Sequence, residues 1–530
     1  MNRAVHAVSL PEVLAHQARV LGEKPCFTLY EETISYRALW ERSLRAATQL
    51  ARMGIGARDK VAILLPTSAE FFECFYGLMA LGAIPVPLYP ILGVEEMAAL
   101  FADSEAKAAI TVDWFLENVE RARARCPGLT QLISPYDLTA SAESPALPQL
   151  TADDVGLIQY TSGSTGHPKG VVLTNGNLLA NIRAFVGFTL ATPDEVVVSW
   201  LPLYHDMGLI GLGMGALYAG VTTILLPPDL KDPRPWLDAI AHHRATVTAS
   251  PDFGYRNCLR HLSPSESFDL RSLRMAFTGA EPIRLSTIQA FETRFGLQNV
   301  TCPCYGLAEA TLAVTIVPPG SPLRVDPSGR FVSVGPPLPG IEVKIRAARA
   351  VGEEGEILVR SPGVMQGYYR KPEATREVLR DGWLHTGDLG FLDAEGYLYV
   401  TGRKKTVIVV AGRNFTPRDF EEIVDQFPEV RYSATVGIDS ERLGTERIIV
   451  VAEIRDEAIP PAEASRLVRA IVAEIHEHQG LRPGQVLLVR KGGIPKTTSG
   501  KIQHARLIEL LGDPDFGGKV VYPRRDSGGT

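Results

Sequence analysis

Residues 160–175 read YTSGSTGHPKGVVLTN, and the interpretation of the whole chain turns on this stretch. It places a loop of glycine, serine and threonine with one cation, Lys169, between the apolar runs VGLIQY and VVL. Glycines permit positive-φ turns that direct backbone N–H groups and hydroxyls toward one anion, and the lysine adds charge. A flexible surface turn is the alternative. The composition favours a phosphate-binding loop.

The residues after Lys169 separate two kinds of phosphate loop. A P-loop of the pattern G-x-x-x-x-G-K-[ST] runs into a helix, whereas here the lysine is followed by GVVLT, whose β-branched residues are typical of a strand. The sequence therefore predicts a strand–loop–strand phosphate binder.

Composition excludes several classes of protein. The chain has 530 residues, 45% hydrophobic and 22% charged, with a net charge of −6, which argues against a broad nucleic-acid or anionic-lipid surface. The six cysteines lack the spacing of a zinc site or a disulfide scaffold, so reduced thiols are expected. No apolar stretch has the length of a spanning helix or the form of a signal peptide. We expect a soluble, cytoplasmic protein without integral membrane association.

Helical and strand patterns alternate along the chain, which predicts an α/β fold of helix-covered, mostly parallel sheets. Short strands and turns from about residue 335 predict a small β-rich subdomain, and the pattern beyond residue 405 predicts a compact α+β unit. We expect a large N-terminal domain over residues 1–402 with its β-rich subdomain at about 335–402. A hinge at 403–405 and a small mobile C-terminal domain over 406–530 follow.

Further motifs extend the interpretation of the loop. YGLAE stands at 305–309, WLHTGD at 383–388, GRKK at 402–405 and PKTTSGK at 495–501. Together with YTSGSTGHPKGVV, they resemble the signatures of the acyl-adenylate-forming (AMP-binding) enzyme superfamily, from about residue 35 to 508. The resemblance implies ATP-dependent activation of a carboxylic acid to an acyl-AMP, with release of pyrophosphate, followed by attack of a thiol.

That chemistry brings two anions together, so charge neutralisation and in-line positioning are its main tasks. By resemblance, Glu309 helps to hold Mg²⁺ that bridges phosphate oxygens. The resemblance assigns the ATP phosphates to Thr161, Ser162, Gly163, Ser164, Thr165, Gly166 and Lys169. It assigns adenine and ribose to Gly279, Ala280, Glu281, Tyr305, Gly306, Asp388 and Arg403.

The resemblance also gives roles to Lys501, Lys405, Asp388 and His205, and for all of these except Lys405 there is a plainer alternative. Lys501 is the catalytic lysine of adenylation, although alone it reads as a surface lysine; Lys405 is the hinge about which it enters the site. Asp388 binds the ribose hydroxyls, although alone an Asx-turn is the first interpretation. His205 lies beside the acyl carboxylate, or is a satisfied core histidine.

The substrate class follows from His205 and its surroundings. Amino-acid-activating relatives usually carry an aspartate at this place for the α-ammonium group, so a plain carboxylic acid is favoured. The apolar run GLIGLGMGALYAG after it lines an acyl tunnel or forms a buried core helix. VVAGRNFTPRDFEEI resembles fatty acyl-AMP ligases, which favours a medium- or long-chain fatty acid and an acyl carrier protein as acceptor.

Other features point toward CoA as the acceptor. The region 311–332 is short and leaves little room for the insertion by which fatty acyl-AMP ligases limit domain movement and disfavour CoA. The stretch 368–403 is close to CoA-ligase spelling. A non-catalytic acyl- or nucleotide-binding module is the alternative outside enzymes, and the presence of Lys501, Glu309 and Asp388 argues against it.

Overall fold

The computed structural model describes residues 7–139, 146–161, 168–228, 232–410, 413–440, 445–497, 501–513 and 516–523. The chain divides into two compact units. The first runs to Thr161 and continues over Lys169–Thr386 and Phe391–Val400, and the second contains Gly387–Gly390 and the chain from Thr401 onward. The predicted hinge at 403–405 stays a prediction.

In chain order, the strands of the described residues are β1 (Pro25–Leu29), β2 (Glu32–Ser35), β3 (Lys60–Leu64), β4 (Ile84–Pro87), β5 (Ala108–Thr111), β6 (Gln131–Ile133), β7 (Val155–Thr161), β8 (Lys169–Thr174), β9 (Val196–Ser199), β10 (Thr222–Leu225), β11 (Val247–Ala249), β12 (Met275–Thr278), β13 (Thr301–Gly306), β14 (Ala313–Ile316), β15 (Glu342–Ile345), β16 (Gly355–Arg360), β17 (Gly367–Tyr368), β18 (Leu379–Arg380), β19 (Trp383–Leu392), β20 (Leu398–Arg403), β21 (Ile408–Val410), β22 (Arg413–Phe415), β23 (Val430–Ser440), β24 (Thr445–Ile454), β25 (Gln485–Val489) and β26 (Val520–Tyr522).

The α-helices are α1 (Leu10–Leu21), α2 (Tyr36–Arg52), α3 (Ala69–Ala80), α4 (Val94–Ser104), α5 (Asp113–Arg123), α6 (Asn175–Phe188), α7 (Gly215–Ala219), α8 (Arg234–His242), α9 (Asp252–His261), α10 (Leu285–Phe295), α11 (Pro372–Val378), α12 (Arg418–Val424), α13 (Pro461–Gln479) and α14 (His504–Leu511). A π-helix spans Met207–Met214, and 3₁₀ turns span Pro135–Leu138, Ala308–Ala310, Lys404–Thr406 and Phe516–Gly518.

Local sequence signals explain where the first long helices begin and end. The hydroxyl of Ser35 accepts the N–H of Ala38 at 3.1 Å, and the hydroxyl of Ser68 accepts the N–H of Phe71 at 3.3 Å. Serine caps of this kind satisfy the unpaired N–H groups of a first helical turn. Gly54 follows α2 with φ 81°, a conformation that favours glycine. These contacts and this glycine account for where α2 and α3 begin and where α2 ends.

Two sheets of the first unit are mainly parallel. One has the order β14-β13-β12-β11-β9-β10-β1-β2, parallel except at its two ends, and the other has the order β4-β3-β5-β6 and is parallel throughout. Strands such as β5, buried along their whole length, are typical of parallel sheets covered on both faces. The predicted α/β fold is confirmed.

Two further sheets contain antiparallel strand pairs. β17 adds to the β7–β8 hairpin in the order β17-β8-β7. The strands β15, β16, β18, β19 and β20 form a sheet where the β-rich subdomain is predicted, with antiparallel β15–β16 and β18–β19 pairs.

The second unit packs helices on both faces of the sheet β23-β24-β25-β26. Phe420 of α12 and Ile471 of α13 are buried in one core cluster, and Leu507 of α14 is buried in another. This is the compact α+β unit that the sequence predicts.

Two chemical expectations about the whole chain can also be compared with the structure. No helix among the described residues is long and apolar enough to cross a membrane.

All six cysteines are free thiols, five of them buried. Burial raises the pKa of Cys26 and of Cys302 to about 12, so these thiols stay protonated at neutral pH.

Candidate active site

The β7–β8 hairpin carries the predicted phosphate loop at its tip. Its last paired residues are Thr161 and Lys169, which lie opposite each other in the antiparallel register. The strand-like exit predicted after Lys169 is therefore confirmed, and it distinguishes this loop from one that leads into a helix. The loop residues Ser162, Gly163, Ser164, Thr165 and Gly166 lie outside the described residues.

Tyr368 connects Lys169 with Glu309. The Nζ of Lys169 lies 4.7 Å from the centroid of the Tyr368 ring, and the Tyr368 hydroxyl donates a hydrogen bond of 2.7 Å to Oε1 of Glu309. A cation over an aromatic face is attracted by the ring quadrupole, and a hydrogen bond to a carboxylate is of the stronger kind. The fold thus brings together two predicted site residues that are far apart in sequence.

The backbone around Tyr368 is fixed by its neighbours. Tyr368 pairs with Val171 of β8, and its N–H donates to Oγ1 of Thr375 at 2.9 Å. Gly367 has φ 148°, and a Cβ there would lie 2.7 Å from Cγ2 of Thr375. Only glycine allows so close an approach, which sets the start of α11 against β17.

Polar and charged groups also hold the loop end of β7. The hydroxyl of Tyr160 donates to Oδ2 of Asp103 at 2.7 Å, and Nζ of Lys371 donates to Oδ1 of the same carboxylate at 2.7 Å. Burial, followed by the bond to Asp103, raises the pKa of Tyr160, so it remains a neutral donor. The strand that leads into the phosphate loop is thereby tied to the end of α4.

His205 lies in the turn that precedes the π-helix. Its Nδ1 is 2.8 Å from Oδ1 of Asp206, which also accepts the N–H of Met207 at 2.7 Å. The same Met207 N–H also lies 3.3 Å from Nδ1 of His205, so it links both side chains to the start of the π-helix. Gln159 of β7 donates to the carbonyl of Tyr204 at 2.7 Å, so one strand positions both this turn and the loop.

The segments predicted to hold adenine lie on β12 and β13 or directly after them. Tyr305 is buried, and Ala280 has φ 66°. A Cβ on Gly279 would lie 2.7 Å from the Cys304 carbonyl oxygen, and one on Gly306 would lie 1.7 Å from that of Leu312. Close backbone packing accounts for both glycines, and their contact with adenine stays a prediction.

Glu281 is engaged within the protein. Its Oε1 accepts the N–H of Phe253 at 2.6 Å. Burial raises its pKa, with the nearby Asp252 adding to the effect, while Arg256 and Arg284 oppose it. The contact caps the start of α9 from outside the helix. Its predicted role in adenine binding stays a prediction.

In the second unit, Asp388 and Arg403 form an ion pair. Nε of Arg403 donates to Oδ1 of Asp388 at 2.8 Å, and the Asp388 side chain is 6% exposed while that of Arg403 is 56% exposed. A carboxylate has about four acceptor positions, so this bond leaves capacity for ribose hydroxyls. Lys405 lies in the 3₁₀ turn directly after Arg403.

Lys501 closes a short loop of the second unit. Its N–H donates to Oγ1 of Thr497 at 3.1 Å, and the N–H of Thr497 donates to the Lys501 carbonyl at 2.7 Å. Nζ of Lys496 lies 3.1 Å from the centroid of the Tyr432 ring. These contacts fix both arms of the loop that presents Lys501, while residues 498–500 lie outside the described chain.

The donor set at Glu309 fits a magnesium ion that is held mostly by phosphate oxygens. Mg²⁺ is commonly bound through one or two carboxylates together with substrate phosphates and waters. Accordingly, the described residues contain no group of three or more metal-ligating side chains. Oε1 of Glu309 accepts one hydrogen bond from Tyr368, and the carboxylate retains acceptor capacity for a cation.

Comparison with known proteins identifies the family. The model of the "AMP-binding enzyme" family matches residues 14–369, which is more than half of the chain. The chain belongs to the AMP-binding enzyme family. The resemblance noted on the sequence motifs is thus confirmed.

Individual relatives of this AMP-binding enzyme carry related names. It is 30% identical to the medium-chain-fatty-acid–[acyl-carrier-protein] ligase JamA of Moorena producens, with 89% of each chain covered. It is 31% identical to the long-chain-fatty-acid–AMP ligase FadD26 of Mycobacterium marinum, covering 96% of this chain and 98% of the relative. A solved structure from a study of fatty acyl-adenylate ligases of E. coli and L. pneumophila has TM-score 0.87, 31% identity and coverage of 96% and 98%. The chain is an AMP-forming ligase.

Sequence reasoning missed Tyr368 and the contacts of Asp103 at the loop end of the hairpin. Tyr368 stands in a stretch whose spelling is close to that of CoA ligases, but a tyrosine there is equally typical of an ordinary strand residue. The partner Glu309 lies 59 residues away along the chain. Only the pairing of β17 with β8 brings Tyr368 beside Lys169.

Proposed function

We propose that this AMP-binding enzyme uses Mg²⁺ and ATP to convert a medium- or long-chain fatty acid to its acyl-AMP, releasing pyrophosphate. It then passes the acyl group to the phosphopantetheine thiol of an acyl carrier protein. The reaction takes place in the cytoplasm. Transfer to CoA is the second candidate.

The observation that carries this proposal is the contact of Tyr368 with both Lys169 and Glu309. The cluster sets a cation and a carboxylate of the first unit around one aromatic ring, at the end of the predicted phosphate loop. A lysine suits the phosphates of ATP, and a carboxylate would suit a hard cation such as Mg²⁺ that would neutralise phosphate charge. One small region of the fold thus carries both kinds of group that pyrophosphate departure requires.

The remaining residues act on the same transfer. Lys501 stabilises the charge that develops as the carboxylate approaches the α-phosphorus, and Asp388 accepts hydrogen bonds from the ribose hydroxyls. Arg403 orients the Asp388 carboxylate through its 2.8 Å bond and contacts the nucleotide. Glu309 would hold Mg²⁺, which when bound would neutralise phosphate charge.

A fatty acid as substrate is supported by three facts. His205, which the resemblance assigns to the place of the acyl carboxylate, is an imidazole, whereas an α-ammonium group would need a carboxylate there. The π-helix after it is apolar, and six of its eight residues are buried. The relatives JamA and FadD26 are both named for fatty-acid substrates.

The same relatives bear on which thiol accepts the acyl group. Similarity to JamA, named as a ligase to acyl carrier protein, supports a carrier protein. CoA is favoured by a different observation. The alignment with FadD26 runs over 579 positions although it covers only 96% of a 530-residue chain, so FadD26 has residues that this chain lacks. The short region 311–332 likewise predicts that this chain lacks an insertion.

One assay tests both steps. The protein is incubated with ATP, Mg²⁺ and acids from C2 to C18, together with either CoA or a holo-carrier protein, and products are resolved by mass spectrometry. We expect acyl-AMP with the longer acids and acyl transfer to the carrier. Equal transfer to CoA would replace the carrier by CoA, and no acyl-AMP from any acid would overturn the proposed activity.

A further inference from the structure

Tyr368 has two contacts that the known roles of phosphate loops and metal-binding carboxylates do not include. Its ring lies under Nζ of Lys169 at 4.7 Å, and its hydroxyl donates to Glu309 at 2.7 Å. Resting on the proposed function, we propose that Tyr368 is a positioning residue that sets the Lys169 cation and the Glu309 carboxylate for joint binding of Mg²⁺ and the ATP phosphates.

The two contacts use different parts of one side chain. The ring face is attractive to an ammonium group without taking any of its three N–H donors, so Lys169 retains them for phosphate oxygens. The hydroxyl occupies one acceptor position of Glu309 and fixes the rotation of that carboxylate. Hydrogen bonds from neighbouring groups orient metal-binding carboxylates in this way.

Tyr368 is itself held more firmly than a loop residue. It is 8% exposed and pairs with Val171 of β8, while the N–H of Met365 donates to the carbonyl of Glu309 at 2.9 Å. The segment 365–368 therefore contacts both the strand that carries Lys169 and the turn that carries Glu309. A change in the Tyr368 side chain leaves these backbone contacts in place.

Two substitutions separate the hydroxyl from the ring. Tyr368→Phe removes the bond to Glu309 and keeps the ring under Lys169, whereas Tyr368→Leu removes both. Tyr369→Phe is the matched control, because the Tyr369 hydroxyl also donates to a glutamate, Glu105, at 2.6 Å. Thermal unfolding confirms that each variant is folded, and Tyr368→Met replaces the leucine variant if that variant fails to fold.

The measurement is ATP binding by titration calorimetry without any acid, over a series of free Mg²⁺ concentrations and in EDTA. We expect Tyr368→Phe to raise the Mg²⁺ concentration at half effect by about 10–100-fold, while ATP affinity in EDTA is unchanged. Tyr368→Leu is expected to weaken binding in EDTA as well, by roughly 2- to 30-fold. Tyr369→Phe should match the wild-type protein in both.

The outcomes are distinct. A Tyr368→Phe variant with wild-type Mg²⁺ dependence would overturn the role of the hydroxyl, and a leucine variant identical to the phenylalanine variant would overturn the role of the ring. Because binding is measured without an acid, these results do not depend on acyl transfer. Failure of the proposed function would instead appear as wild-type protein that binds Mg²⁺ and ATP but forms no acyl-AMP.

Discussion

Substitution of Gly306 tests whether the glycine of the YGLAE motif is required for backbone packing or for nucleotide binding. A Cβ at this position would lie 1.7 Å from the carbonyl oxygen of Leu312, half or less of an ordinary contact of 3.4–4 Å, and 2.7 Å from its carbonyl carbon, which is also well short of that range. The obstacle is backbone of the turn before β14, which no side-chain rotation can remove. We therefore expect Gly306→Ala to force a local backbone shift.

The cost can be estimated from the kind of clash. Inserting a methyl group into well-packed structure costs about 1–3 kcal/mol, and contact with backbone belongs at the upper end or above it. Gly187→Ala is the control, because Gly187 lies in the last turn of α6 with nothing within 4 Å of its Cβ position. Gly187→Ala should stabilise the folded protein by roughly 0.5–1 kcal/mol.

The assay compares the midpoints of thermal and urea unfolding of the two variants, followed by calorimetric titration with ATP. We expect a lower midpoint for Gly306→Ala and an unchanged or higher one for Gly187→Ala. An unchanged midpoint combined with a loss of ATP affinity would refute the packing argument, because it would show that Gly306 is needed for the nucleotide alone.

Three further predictions concern Lys501, Lys405 and Glu281. Lys501→Ala should reduce acid-dependent ATP–pyrophosphate exchange by about 10²–10³, the scale of losing one transition-state donor; unchanged exchange would remove its role. Lys405→Pro should slow acyl transfer more than acyl-AMP formation in single-turnover assays, because a fixed φ restricts a hinge; equal slowing would argue against a hinge there. Burial raises the pKa of Glu281 above its usual 4.5. Ionisation of Glu281 therefore lowers the free energy of unfolding as the pH rises above 4.5, and this destabilisation levels off once the pH exceeds the raised pKa. Glu281→Gln, whose amide oxygen can still accept the Phe253 N–H, should therefore unfold at a higher temperature than the wild-type protein at pH 7 but not at pH 4; an equal shift at both values would contradict the prediction.

Local patterns in the sequence were sufficient for much of the fold. The β-branched residues after Lys169 act within a few residues of where they stand, so the strand there could be predicted and is confirmed. The serines that cap α2 and α3 act equally locally. The π-helix at Met207–Met214 could not, because an apolar, glycine-rich run has no period that separates a π-helix from an α-helix.

Residues of the candidate site could be predicted only where they belong to a recognisable sequence motif. Glu309 and Lys169 were found by resemblance, but the tyrosine between them depends on which strand pairs with β8. Pairing between distant segments is decided by the packing of the whole sheet, and no local signal fixes it. The contacts of Tyr368 could therefore be known only from the three-dimensional structure.

The glycines of the motifs show how packing and function share the same residues. Gly279 and Gly306 each face backbone of a neighbouring segment, and Gly367 faces Thr375, at distances that exclude a Cβ. Their small size brings β12, β13, β14 and α11 close enough to hold Ala280, Glu309 and Tyr368 in place. We therefore expect replacement of Gly279, Gly306 or Gly367 to change stability, through the backbone packing, before it changes any binding of a nucleotide.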